Sequence, residues 1–208
     1  MKITRIARQR RHTDRLNIHL DGERRLVVPE ELATRMELRV GRVLDETELA
    51  AIDGESAAWR AKEAALLLLS YRPRTEQELR RRLARRTFTP AVIDDCVQRL
   101  ARAGLLDDDA YARSFVRERL RNRPSGAPRL LAELRARGVA AATAHAAIEA
   151  ALDEEPESEI DLARRAAARF RRRRGEESLR ARRRLYGFLS RRGFGAETIR
   201  ALIHELID

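Results

Sequence analysis

Leucines four residues apart, followed by a basic run and a closing apolar or aromatic residue, occur three times along this chain. The copies run from Leu79 and Leu83 to Phe88, from Leu130 and Leu134 to Val139, and from Leu185 and Leu189 to Phe194. Gly138 and Gly193 precede the closing residue in the later copies. Thr87 stands there in the first, which opens the question whether its turn shares their geometry. The first two copies are 51 residues apart and the last two 55, and Val97, Ile148 and Ile203 keep the same steps. A fixed period of this size marks tandem supersecondary units, each too small to bury its apolar face alone. Stacked units of that kind form an extended binding surface, not a pocket built around one reaction.

Within each copy the spacing predicts three helices. In the first, Ala57 to Leu69 is helical, and Thr75 with Glu78 forms a capping box that opens a helix with Leu79 and Leu83 on its core face. Thr89-Pro90 then gives an N-cap and a first-turn proline, and Ile93, Val97 and Leu100 follow at helical spacing until Gly104. The second copy starts at Asp107-Asp108-Asp109, whose carboxylates suit a helix N-terminus. Tyr111, Phe115 and Leu120 mark its first helix, Leu130 and Leu134 its second, and Ala144, Ile148 and Leu152 its third, with Pro124, Gly126 and Pro128 as breakers. Beyond an acidic linker, Glu154 to Ser158, the third copy carries Leu162, Ala166 and Phe170, then Leu185, Phe188 and Leu189, then Ile199, Leu202, Ile203 and Leu206.

Residues 1–28 follow another rhythm. Leu16, Ile18 and Leu20 alternate with polar residues, and Asp21-Gly22 precedes the run Leu26-Val27-Val28, which reads as a β-hairpin. Pro29 ends the strand and opens a short helix over Glu30 to Met36, Val40 to Leu44 is a second apolar stretch, and Asp45 caps a helix over Glu46 to Ile52. Asp53-Gly54-Glu55-Ser56 reads as a linker into the repeats. The fold class expected is mostly all-α: three tandem three-helix repeats forming an elongated curved array, preceded by a small N-terminal β-hairpin/α module. The divisions are 1–56, 57–106, 107–156 and 157–208.

Charge adds the functional clue. The net charge is +11 and the isoelectric point about 11.1, a balance that draws a protein to polyanions. Residues 72–86 hold seven Arg against two Glu, 113–137 eight against two, and 160–193 thirteen against three acids. The basic residues thus gather on the first and second helices of the repeats. The densest block, Arg169 to Arg174, reads equally as a solvated helix end and as a polyanion contact. All but Lys2 and Lys62 of the 44 basic residues are Arg, so net charge and clustering carry the argument, not any single position.

Candidate chemistry is sparse. No phosphate-cradling glycine loop and no nucleophile elbow occurs, and His12, His19, His145 and His204 lack metal-ligand spacing. Asp107 to Asp109 read as a helix cap in preference to a metal cluster. Cys96, the only cysteine, falls on an apolar helical stripe and is expected in the core. Core packing is also expected for most of Trp59, Tyr71, Tyr111 and Tyr186, with base stacking the alternative. No apolar run approaches the ~20 residues that span a bilayer, and the first residues lack the apolar segment of a signal peptide. A cytoplasmic, non-enzymatic protein without cofactor or metal is expected.

Two stretches carry a family likeness: Ala103-Gly-Leu-Leu-Asp-Asp-Asp-Ala-Tyr-Ala-Arg-Ser-Phe115 and Arg184-Leu-Tyr-Gly-Phe-Leu-Ser-Arg-Arg-Gly-Phe194. With Leu130 to Val139 they make the region 57–208 resemble the RecX family of bacterial regulators of the recombinase RecA. The hairpin module is similar to an extension that some members carry. The resemblance implies a non-catalytic inhibitor that binds RecA, lodges in the groove of the RecA–DNA filament, and suppresses filament extension, ATP hydrolysis and strand exchange, with consequences for DNA repair and the SOS response. It implies no membrane partner, and the chain is expected to be a monomer. The alternative is a stand-alone DNA-binding protein, on single or double strands, using a basic helical face. The residues assigned to that face are Arg80, Arg81, Arg121, Arg123, Arg129, Arg171, Arg172, Arg173, Arg174, Arg183, Arg191 and Arg192.

Overall fold

The computed structural model describes residues 1–10, 14–21, 25–170 and 176–207. Among these, strands β1 (Ile3–Arg8), β2 (Arg15–Leu20) and β3 (Arg25–Pro29) form one antiparallel sheet in chain order. Leu16 faces Val28 and Ile18 faces Leu26 across β2 and β3, so the expected hairpin is present, with β1 added along its other edge. Alternation puts Ile3, Ile18, Leu20, Leu26 and Val28 into one buried cluster with Leu32, Leu44, Leu49 and Ile52. Helix α1 (Glu30–Arg35) follows Pro29 directly.

Helix α2 (Glu46–Tyr71) corrects the sequence reading. Asp45 and Glu48 make a capping box, and the helix then runs unbroken through Asp53 to Ser56, where a linker was expected. Gly54 costs a helix about 1 kcal/mol relative to alanine. Burial of Leu49, Ile52, Ser56, Ala61 and Ala65 along the same helix outweighs that preference. Helices α3 (Glu76–Ala84) and α4 (Pro90–Arg102) complete the first repeat. Pro90 sits in the first turn of α4 as expected, but Thr89, at its N-cap position, makes no side-chain cap bond. Cys96 is buried on α4, where burial pushes its thiol pKa up.

The second repeat is α5 (Asp108–Asn122), α6 (Ala127–Ala136) and α7 (Ala141–Asp153), and the third α8 (Glu159–Ala167), α9 (Ser178–Ser190) and α10 (Ala196–Ile207). Asp107 accepts the Ala110 N–H at 2.8 Å and Asp108 the Glu76 N–H at 2.9 Å, so both act as caps. Ser158 and Asp161 form a capping box that starts α8. Leu130, Leu134, Leu185 and Leu189 are buried in one cluster with Phe115, Val139, Ile148, Leu162 and Phe194. Gly138 and Gly193 end their helices with φ of 88° and 82°, and Thr87 adopts φ of 63° at the matching position. The first turn therefore has the left-handed geometry of the others, on a β-branched residue that resists it.

The chain divides into two compact units: Met1–Pro73 with Leu79–Leu105, and Arg74–Glu78 with Leu106–Asp208. No helix among the described residues is long and apolar enough to cross a membrane.

Candidate anion-binding cleft of the second and third repeats

In the second unit, one joint occurs twice, made by a side chain in one copy and by the backbone in the other. The Thr75 hydroxyl donates to the Arg137 carbonyl at 2.6 Å, and the Gly126 N–H donates to the Arg192 carbonyl at 2.9 Å. Thr75 and Gly126 are 51 residues apart and Arg137 and Arg192 are 55 apart, the steps of the repeat itself. Each joint needs glycine. A Cβ on Gly138 would lie 2.3 Å from Gln77 Cβ, and a Cβ on Gly126 would lie 2.0 Å from the Gly193 carbonyl oxygen. Only a bare backbone permits that approach.

The second joint sets side chains around a cleft of about 280 Å³ lined by Arg123, Ser125, Arg129, Glu133, Phe188, Arg191 and Arg192. The end of α5 organises its cationic wall. A helix C-terminus leaves carbonyls unpaired and carries partial negative charge. Arg165 donates to the Leu120 carbonyl, Arg169 to the Asn122 carbonyl at 3.0 Å, and Arg192 to the Pro124 carbonyl at 3.3 Å. The Arg192 guanidinium also lies 4.6 Å over the Phe188 ring, which packs 6.0 Å from Phe170, itself covered by Arg184 at 4.5 Å. Each such cation–π contact is worth about 0.5–1 kcal/mol and holds the guanidinium plane.

Charge balance in the cleft is uneven. Glu133 accepts from Arg129 Nε at 2.9 Å and from Arg119 Nε at 3.0 Å. Burial pushes the Glu133 carboxyl pKa up, but the two guanidiniums outweigh it and hold it below the usual value. Arg192 is in the opposite state. Burial, then the neighbouring charges of Arg123 and Arg169, lower its pKa. No carboxylate among the described residues pairs with Arg123, Arg169, Arg191 or Arg192. A guanidinium stays protonated regardless, so the site concentrates positive charge that an anion would relieve. Planar guanidiniums grip phosphate or carboxylate oxygens in pairs.

Of the residues assigned from sequence, the structure brings Arg123, Arg129, Arg191 and Arg192 together. Arg121 is exposed at the end of α5 and Arg183 on α9. In the first unit, Arg80 pairs with Asp94, and Arg81 is exposed. Arg171, Arg172, Arg173 and Arg174 lie outside the described residues. Sequence reading missed Glu133 and the carbonyl-bound Arg165, took Phe188 for a core residue only, and named Arg169 only as the start of the dense basic block. One signal was available: Glu133 and Phe188 are 55 residues apart, so the acid of the second repeat is replaced by an aromatic ring in the third. Among the aromatics, Trp59 is half-buried under Arg15 and Tyr111 stacks on Phe115, but Tyr71 and Tyr186 are exposed, contrary to the core packing expected for most of the four.

Comparison with known proteins identifies the scaffold. Residues 1–45 match the regulatory protein RecX N-terminal domain, and residues 61–100, 107–148 and 157–203 match the first, second and third RecX three-helix domains. The chain belongs to the RecX family. A regulatory protein RecX from Corynebacterium efficiens is 32% identical over 206 residues, covering 94% of this chain and 95% of that protein. The Bacillus subtilis regulatory protein RecX is 31% identical over 137 residues, 66% of this chain. There the match spans 52% of the relative, so the chain spans about half the length of the Bacillus and Listeria proteins it matches. The crystal structure of a regulatory protein RecX superposes with a TM-score of 0.69 at 28% identity, over 99% of this chain and 98% of that one. The RecX from Lactobacillus salivarius shares the fold with a TM-score of 0.55, covering 72% of this chain and 96% of that one at 22% identity. RecX membership accounts for the three helical repeats and for the small sheet ahead of them.

Proposed function

We propose that this RecX-family chain is a cytoplasmic, non-catalytic regulator that binds RecA and its nucleoprotein filament and restrains filament extension, ATP hydrolysis and strand exchange. Relatives named as regulatory proteins support the class. The observation that carries the contact is the cationic cleft, where Arg123, Arg191 and Arg192 stand without a carboxylate partner among the described residues. A filament coated on nucleic acid offers the repeating negative charge that such a site takes. Modest contacts repeated along a polymer multiply through effective concentration.

The test is a titration of RecA's DNA-dependent ATPase with free DNA saturated. The parent chain inhibits at near-stoichiometric amounts. The double variant Arg123→Glu/Arg191→Glu reverses two exposed charges and raises the half-inhibitory concentration by about tenfold or more. No inhibition by the parent chain refutes the regulatory reading, and full inhibition by the variant removes the cleft from it. The same unpaired cluster favours the second reading, direct DNA binding. That reading requires DNA affinity to fall with salt at a log–log slope near about −0.9 per duplex phosphate neutralised, with no effect on RecA beyond competition for DNA.

A further inference from the structure

Helix α9 turns a second, chemically different face to solvent. Leu179, Arg183, Tyr186 and Ser190 recur at positions i, i+4, i+7 and i+11, opposite the buried Ala181, Leu185 and Leu189. Leu179 is 54% exposed and Tyr186 40% exposed, with exposed Arg183 between them. Ser178 to Ser190 contains no acidic residue. Single apolar side chains on a surface need no explanation, but two anchors aligned with a guanidinium on one helical stripe form a patch.

We propose that the Leu179–Arg183–Tyr186 stripe is a protein-docking surface whose partner presents an apolar socket rimmed by carboxylates. Charge complementarity sets the rim, since the helix offers only cations. Leu179 sets the class of macromolecule: an aliphatic side chain has no π face to stack on a base and no charge for a phosphate. Tyrosine and arginine are the side chains that most often dominate protein–protein binding energy when a polar rim shields them from water. The proposal rests on the reading that the chain binds the RecA filament. It divides the work there: the α9 stripe contacts protein, and the cleft of Arg123, Arg191 and Arg192 takes the polyanion.

The test compares the parent chain with Leu179→Ala/Tyr186→Ala and with Arg183→Glu. Fluorescence anisotropy of the labelled chain is read against preassembled RecA filaments and, separately, against the same oligonucleotide bare. Both variants remove exposed groups, and far-UV circular dichroism confirms unchanged helicity. Filament affinity falls by about tenfold or more in each variant. Affinity for bare oligonucleotide stays within about twofold in the double alanine variant. Unchanged filament affinity overturns the proposal. An equal loss on bare oligonucleotide also overturns it, because the stripe would then be a nucleic-acid contact. A parent chain that does not bind the filament at all sinks the filament reading and the stripe together, an outcome distinct from the other two.

Discussion

Replacing Gly126 with alanine puts a methyl group into the joint that builds the cleft. The added Cβ would sit 2.0 Å from the Gly193 carbonyl oxygen and 2.5 Å from its carbon. A comfortable heavy-atom contact is about 3.5 Å, so the loop and the turn must part by about 1.5 Å. That displacement takes the Gly126 N–H to Arg192 carbonyl bond from 2.9 Å to beyond bonding range. Overpacking costs about 1–3 kcal/mol and the lost bond about 0.5–1.5, while alanine recovers about 0.4–1 kcal/mol by restricting the unfolded chain. The φ of Gly126 is −72°, so alanine adds no backbone strain, and the net loss is about 0.5–4 kcal/mol. Urea unfolding followed by far-UV circular dichroism measures it. Gly54→Ala is the internal control of opposite sign: that glycine lies within α2 with nothing within 4 Å of an added Cβ. Alanine there gains about 0.5–1 kcal/mol. A Gly126→Ala chain as stable as the parent would refute the close approach, and with it the account of how Arg129 and Arg192 are held on either side of the cleft.

Two further substitutions probe other links. Thr87→Gly relieves left-handed strain worth about 1–2 kcal/mol in an L-residue, against about 0.5–1 for glycine's extra unfolded freedom. The net gain, about 0–1.5 kcal/mol, appears as an equal or raised urea midpoint; a lowered midpoint contradicts the shared turn geometry. Glu133→Gln tests the carboxylate held by Arg119 and Arg129. Because the folded-state pKa is depressed, the stabilisation is complete above the unfolded value of about 4.3 and is lost as pH falls through the folded value. The stability gap between parent and variant therefore closes on acidification below about pH 4, and a gap constant down to pH about 2 argues against the ion pairs.

Much of the architecture was legible because it is periodic. Leu79, Leu83, Leu130, Leu134, Leu185 and Leu189 follow a 3.6-residue rhythm and a fixed step, and all are buried in the structure. Local chemistry also served well where one residue decides: Asp45 caps α2, Pro90 opens α4, and Gly138 and Gly193 close their helices. It misled where tertiary burial overrides propensity, as at Gly54, which reads as a break and lies inside a 26-residue helix. The cleft was only partly visible, since charge counting ranks arginines by density along the chain. Arg123 and Arg192 meet because two glycine backbones touch, a relation that no local window contains. Glu133 and Phe188 were hidden for a subtler reason: each is ordinary alone, and their meaning lies in the comparison between repeats.

That comparison bears on how the proposed cleft would seat an anion. Copies of one binding unit, placed a fixed step apart, accept a long ligand in several registers of equal energy. Glu133 accepts from both Arg119 and Arg129 in the second repeat and offsets one of their two charges, whereas the matching position in the third, Phe188, shelves Arg192 with its charge unanswered. The two positions are thus inequivalent to an anion. Because Glu133 lines the same cleft as Arg191 and Arg192, an anion held there would be turned away from the second-repeat side and toward the third, so the two repeats would share one oriented site in place of two equal ones.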